Sequence, residues 1–267
     1  MKKFIHALVL LGAISIAITT SAAEPDNSAA SPSKPTVVLV HGAFADSSSW
    51  NGVIARLQSR HYPVVAVANP LRSVKGDADY LQQVLGSLSG PVVLVGHSYG
   101  GLVISNVRSV DRRIKALVYV AAFAPEAGET AAGLSGRFPG STLATALAPP
   151  VALPGGGNDL YIQQQRYPSQ FAADIPAADA TAAAAGQRPI TDKALNEPSG
   201  APLWATVPSW SVYGSSDKNI PAAAMAFMAE RAKSRRTLAI DGASHVVMIS
   251  HPAEVADLIV EAAEAKP

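Results

Sequence analysis

The segment richest in chemistry is Pro-Val-Val-Leu-Val-Gly-His-Ser-Tyr-Gly-Gly, residues 91–101. An apolar run leads into Gly96-His97-Ser98-Tyr99-Gly100, and Leu102, Val103, Ile104 and Val107 follow at helical spacing. This is G-x-S-x-G between a strand and a helix, where a serine sits on a strained turn with its hydroxyl exposed above a sheet. The flanking glycines keep the strand and helix free of side-chain collisions. Alone, the pattern arises by chance and marks a tight turn; in this setting Ser98 is expected to be a nucleophile. The start of the helix aims N–H groups at developing negative charge. A second segment, His41-Gly42-Ala43-Phe44, directly follows the apolar run 36–40. Acyl transfer to a serine needs oxyanion donors from two loops. The N–H of Tyr99 is expected to supply one and that of Ala43 the other. Phe44 could replace Ala43 by a one-residue shift, and is otherwise expected to line the acyl pocket. His41, ahead of a glycine turn, reads as a structural histidine bonded to loop backbone, not as a base.

His-Gly after the first strong strand, Gly-His-Ser-Tyr-Gly-Gly after a later one, then an acid and a late histidine resemble the α/β-hydrolase superfamily. The resemblance covers residues 36–265. The short His-Gly-Ala-Phe loop resembles that of small bacterial esterases. It is also similar to the branch holding plant methyl-ester hydrolases and hydroxynitrile lyases, which carry a helical cap of similar size. The resemblance implies a Ser-His-Asp triad in the chain order Ser, Asp, His. Asp217 is the expected acid, in Gly214-Ser215-Ser216-Asp217 at the end of the run 210–213. A buried carboxylate there can hold one imidazole tautomer and stabilise the imidazolium. Glu126, just past the run 116–121, is the rival position, used by some members of the superfamily. Asp241 lies too near the histidine in sequence to orient it easily. The expected base is His245, after the last strand. Of the other histidines, His6 belongs to the leader and His61 has no motif around it. His97 is the variable residue of the serine turn, and His251 abuts Pro252 at a helix start.

Positioning these residues requires a particular alternation of elements. Apolar, β-branched runs recur at 36–40, 64–67, 92–95, 116–121, 210–213 and 237–240. They are continuous, not alternating, as in strands buried on both faces of a parallel sheet. Helical patterns fall between them at 49–59, 77–88, 99–109, 221–233 and 252–265, with Pro221 and Pro252 placed as first-turn prolines. The expected fold is therefore α/β, a doubly wound, mostly parallel sheet built from 36–123 and 203–267. Residues 124–202 break the rhythm: they are dense in Ala, Pro and Gly and contain no strong strand run. A loop of that length is implausible in a compact domain, so an inserted helical cap is expected. Its Phe138, Leu160, Tyr161 and Phe171 are candidate pocket residues.

Composition narrows the function. Of 267 residues, 48% are hydrophobic, which excludes wholesale disorder. The absence of cysteine excludes a disulfide scaffold, a thiol nucleophile and thiolate metal sites. With 21 basic against 20 acidic side chains, nothing recruits nucleic acid or an anionic membrane. Lys2 and Lys3, an apolar run over 4–18 and Thr-Thr-Ser-Ala-Ala at 19–23 read as a cleavable signal peptide. Residues 1–23 are then a leader, 24–35 a flexible segment, and the protein is secreted or periplasmic. The apolar run is shorter than the ~20 residues a membrane span needs. A serine at position 98 sets aside dehalogenases and epoxide hydrolases, which need a carboxylate there. No H-E-x-x-H or G-x-G-x-x-G is present, so no metal and no cofactor are expected. The partner is a small-molecule substrate: small to medium uncharged carboxylic esters, cleaved through an acyl-enzyme. The alternative is hydroxynitrile-lyase or perhydrolase chemistry on the same triad. By the resemblance, the lyase branch favours Thr where this chain has Gly42 and carries a cap lysine, which residues 124–187 lack.

Overall fold

The computed structural model describes residues 34–108 and 113–266. The chain begins with β1 (Thr36–Val40), α1 (Asn51–Ser59), β2 (Val64–Val67), α2 (Val74–Gly86), β3 (Val92–His97), α3 (Gly100–Ser105) and β4 (Ile114–Val120). There follow α4 (Ala131–Gly136), α5 (Leu143–Ala146), β5 (Val151–Ala152), β6 (Asn158–Leu160), α6 (Tyr167–Phe171), α7 (Ala177–Gly186), β7 (Ile190–Thr191) and α8 (Asp192–Asn196). The last part holds β8 (Ser209–Gly214), α9 (Ala222–Arg231), β9 (Thr237–Ile240), α10 (Val247–Ser250) and α11 (Pro252–Glu264).

Six strands form one sheet in the order β2-β1-β3-β4-β8-β9, and every pairing is parallel. Continuous apolar runs suit this arrangement because helices cover both faces; all six residues of β3 are buried. The chain moves outward from β1 to β2, then returns across β1 to β3, so the winding direction reverses between β1 and β3. Loops at the carboxyl ends of such a pair diverge and leave a crevice. Val40 pairs with Gly96, which brings His41–Phe44 and the turn carrying Ser98 side by side in that crevice.

The helices depart from the sequence pattern at their ends. α2 starts at Val74, three residues before the apolar spacing becomes evident, because Ser73 caps it by accepting the Gly76 N–H at 3.0 Å. α3 stops at Ser105 because Asn106 turns its amide onto the Leu102 carbonyl (2.8 Å) and onto Ser199 Oγ (2.6 Å). Pro252 opens α11, whereas Pro221 is the N-cap of α9, one residue outside it.

Between β4 and β8 the chain is not wholly helical. Besides α4–α8 it contains an antiparallel ribbon in the order β5-β6-β7. Strands of two or three residues are too short to register as apolar runs. The alanine tract is an ordinary helix, α7, with Ala180 and Ala184 turned inward. This segment is tied down near its start by Arg231 of α9. The guanidinium donates to both Glu129 oxygens (2.8 and 2.6 Å) and to the Ala124 carbonyl (3.0 Å), and holds the Glu129 carboxyl below its ordinary range.

The expected leader, 1–23, and residues 24–33 lie outside the described residues. Lys34 and Pro35, expected to be flexible, are held: Pro35 is buried, and the Lys34 ammonium reaches the Arg60 carbonyl (2.8 Å) and lies 4.2 Å from the Tyr62 ring centre. Among the described residues no helix is long and apolar enough to cross a membrane.

Candidate active site

Ser98 occupies the turn between β3 and α3 with φ of 54°, a left-handed conformation rare for a residue with a side chain. Its neighbours enforce it. A Cβ on Gly100 would lie 2.4 Å from the Val40 carbonyl oxygen, and one on Gly42 would lie 2.6 Å from Ser98 Cβ. Glycine at both positions lets the β1 loop and the serine turn touch. Ser98 forms part of the cavity wall shared with His245.

Asp217 and His245 come from the loops after β8 and β9, and both are buried. Asp217 Oδ1 accepts the N–H groups of Asn219 (2.7 Å) and Ile220 (3.0 Å). That leaves Oδ2 to accept His245 Nδ1–H at 2.5 Å. The carboxylate is thus aimed from behind by two backbone donors. His245 Nε2 is buried without a hydrogen-bond partner among the described residues, and its ring packs on Phe171 with 4.9 Å between centroids. Glu126, the rival acid, lies elsewhere: its side chain is 52% exposed and 3.7 Å from Arg231. Asp241 accepts the Ser215 hydroxyl at 2.9 Å.

The loop after β1 is clamped by residues from the segment above it. Phe44 N–H donates to the Arg188 carbonyl (2.9 Å), and Tyr167 Oη donates to the Phe44 carbonyl (2.8 Å). The Phe44 N–H is thus already committed to a backbone carbonyl. The N–H groups of Ala43 and Tyr99 have no such partner among the described residues.

His41 is structural in the way its position suggests. Its Nδ1–H donates to the Gly42 carbonyl (2.9 Å), and Nε2 accepts the Asn69 N–H (3.0 Å). Burial pulls its pKa down to about 4. His97, the variable residue of the serine turn, is fully buried against His245. Its Nε2–H donates to the His245 carbonyl (3.1 Å), and the two rings lie 4.8 Å apart. Burial first, then the nearby His245, hold His97 well below the ordinary histidine range. Only its place beside Ser98 in the turn could have drawn attention to it.

Both buried histidines stay neutral in the folded protein, while an unfolded chain protonates them below about pH 6.5. The unfolded state then binds more protons, so folding stability falls with acidification. For His41 the loss runs from about pH 6.5 down to its folded value of about 4 and amounts to about 3 kcal/mol. Urea unfolding at pH 7 and pH 4.5 checks this. His41→Asn is expected to lose clearly less stability between the two pH values than the parent; an equal loss would remove His41 as a contributor.

The cavity has a volume of about 350 Å³. Its apolar wall includes Phe123, Ala131, Leu143, Leu147, Leu195 and Ile220. Of the five residues expected to contact substrate, Phe44 and Phe171 line it. Phe138, Leu160 and Tyr161 do not. Phe138 packs on Phe227, with 5.5 Å between ring centres, under Arg137. Leu160 is spent on the ribbon, paired with Ile190, and Tyr161 faces a separate surface depression with Gln163 and Ala185. Most of the wall residues that sequence reasoning missed are small or aliphatic ones on α4, α5 and α8; Phe123 after β4 and Asn219 and Ile220 after β8 join them. Nothing in such common side chains marks them as a pocket wall. Among the described residues no group of three or more His, Asp or Glu side chains could hold a metal ion.

Comparison with known proteins agrees with the fold. A pimeloyl-[acyl-carrier protein] methyl ester esterase of Aeromonas hydrophila is 28% identical over 243 residues, which cover 84% of this chain and 94% of the relative. An alpha/beta hydrolase of Aspergillus novofumigatus is 25% identical, with coverage of 86% and 97%. Among solved structures, polyneuridine aldehyde esterase superposes with a TM-score of 0.72 at 20% identity, covering 85% of this chain and 98% of that one. Residues 37–258 match the alpha/beta hydrolase family over strands, serine turn and late histidine alike, and the chain belongs to that family.

Proposed function

We propose that this protein is a serine esterase of small to medium uncharged carboxylic esters. The observation that carries the reading is that Ser98 and His245 share the wall of one apolar cavity, with Asp217 hydrogen-bonded to the far side of the His245 ring, beside two backbone N–H groups without a backbone partner among the described residues. Ser98 Oγ attacks the acyl carbon as His245 Nε2 takes its proton. Asp217 keeps the other proton on Nδ1, so that Nε2 presents a lone pair. The N–H groups of Ala43 and Tyr99 bind the oxyanion of the tetrahedral intermediate. Collapse breaks the ester C–O bond, and the leaving alcohol takes the proton from His245. The same base then activates water, which releases the acid and frees Ser98.

The cavity favours a neutral acyl group because its wall offers no lysine, arginine, aspartate or glutamate to pair with a charge. An unpaired ion in such surroundings is expensive. Its volume lies near the lower end of ligand pockets, which run from about 300 to about 1,000 Å³. The esterase names of the relatives support the same reaction class. The lysine-poor lining speaks against cyanohydrin cleavage. The basic start, apolar run and small residues over 1–23 support export to the periplasm or beyond.

A series of p-nitrophenyl esters from acetate to palmitate at fixed pH tests the substrate class. Turnover is expected to peak at short to medium chains and to fall at least tenfold by palmitate. Rates that climb through palmitate and jump on emulsified lipid would make the protein a lipase. Mandelonitrile cleavage, run alongside, is expected to be absent; its presence would favour the lyase reading.

A further inference from the structure

We propose that Gln170 is a positioning residue through which the roof of the cavity aims the Asp217 carboxylate. This rests on the triad reading above, but not on any particular substrate. Gln170 sits on α6, buried and close to the loop that follows Asp217. Its Nε2 donates to the Lys218 carbonyl (2.9 Å) and to Asn219 Oδ1 (3.2 Å). Its Oε1 accepts the Thr142 hydroxyl (2.8 Å), and its own carbonyl accepts Asn219 Nδ2–H (3.2 Å).

The decisive feature is which peptide these bonds hold. The Lys218 carbonyl and the Asn219 N–H belong to one rigid plane and point in opposite directions. On one edge the carbonyl accepts from Gln170 Nε2 and from the Thr142 N–H (2.9 Å). On the other edge the N–H donates to Asp217 Oδ1 at 2.7 Å. Holding the oxygen therefore fixes the direction of the donor, and hydrogen bonds in series polarise one another. The chain of contacts runs from Gln170 through the 218–219 peptide to Asp217 Oδ1, and from Oδ2 to His245 Nδ1. Every partner above this plane comes from the segment between β4 and β8. That segment thus shapes the base as well as the pocket.

Gln170→Met keeps the length and removes the donor. The expected result is a fall in kcat of about tenfold with KM within twofold. The downfield proton resonance of the His245 Nδ1–H···Asp217 bond should move upfield and exchange faster with solvent. That resonance is read without turnover, so it still decides the matter if Ser98 proves not to be the nucleophile. An unchanged resonance with unchanged kcat would overturn the proposal. So would a raised KM at constant kcat, which would make Gln170 merely part of the roof. Thr142→Val, which deprives Gln170 Oε1 of its donor without touching the cavity base, gives a second reading should Gln170→Met fold poorly. It is expected to move the same resonance in the same direction with a two- to threefold loss of kcat; no movement would count against the proposal.

Discussion

Replacing Ser98 by alanine is expected to lower kcat/KM for a p-nitrophenyl ester by about 10⁴- to 10⁶-fold. Stability should scarcely change. The left-handed backbone at position 98 is imposed by the close approach of Gly42 and Gly100, and alanine bears the same strain as serine. Glycine does not: Ser98→Gly should be equally inactive yet more stable by about 1 kcal/mol, since only glycine enters this region freely. Thermal unfolding of the three proteins, with kinetics on the same preparations, separates chemistry from folding. Residual turnover within tenfold of the parent would remove Ser98 from the mechanism.

Asp217→Asn is expected to cost about 10⁴-fold in kcat, for a reason visible in the hydrogen bonds. Two backbone N–H groups converge on the Oδ1 position and will select the amide oxygen. The amide NH₂ must then face His245 Nδ1, which can accept its hydrogen only as a lone pair. The imidazole proton moves to Nε2, where the mechanism requires a lone pair. The same selection keeps the loop folded, so the loss should appear in kcat and not in thermal stability. Glu126→Gln is the control. Its half-exposed carboxylate pairs with Arg231, and less than a twofold change in kcat is expected. A larger effect at 126 than at 217 would reassign the acid.

Much of the frame was legible in the residues themselves. The runs that become the inner strands β1, β3, β4 and β8 are buried on both sides because helices cover both faces of the sheet, whereas the edge strands β2 and β9 are only partly buried and were legible from their β-branched and apolar residues alone. The serine turn and the His-Gly loop were legible because each lies within a few residues along the chain, where steric demand acts directly on residue type. His41 showed the same local logic, bonded to its own loop. Where the pattern ran out, the reason was also physical. Helix ends moved because Ser73 and Asn106 found partners that apolar spacing does not encode.

The choice between Asp217 and Glu126 as the neighbour of His245 belonged to the tertiary structure, since both follow a strand and only packing brings one of them to the ring. So did the commitment of Phe44 N–H to Arg188, which is 144 positions away in the chain. The pocket wall was the least legible part. Phe171 lines it while Phe138, Leu160 and Tyr161 do not, although all four are large side chains in the same segment. Short elements rich in alanine, proline and glycine carry little periodicity, so their sequence says that they fold but not which face each turns down. That orientation is set by bonds such as Tyr167 to Phe44 and Gln170 to Lys218, made between distant segments only once the sheet has formed beneath them.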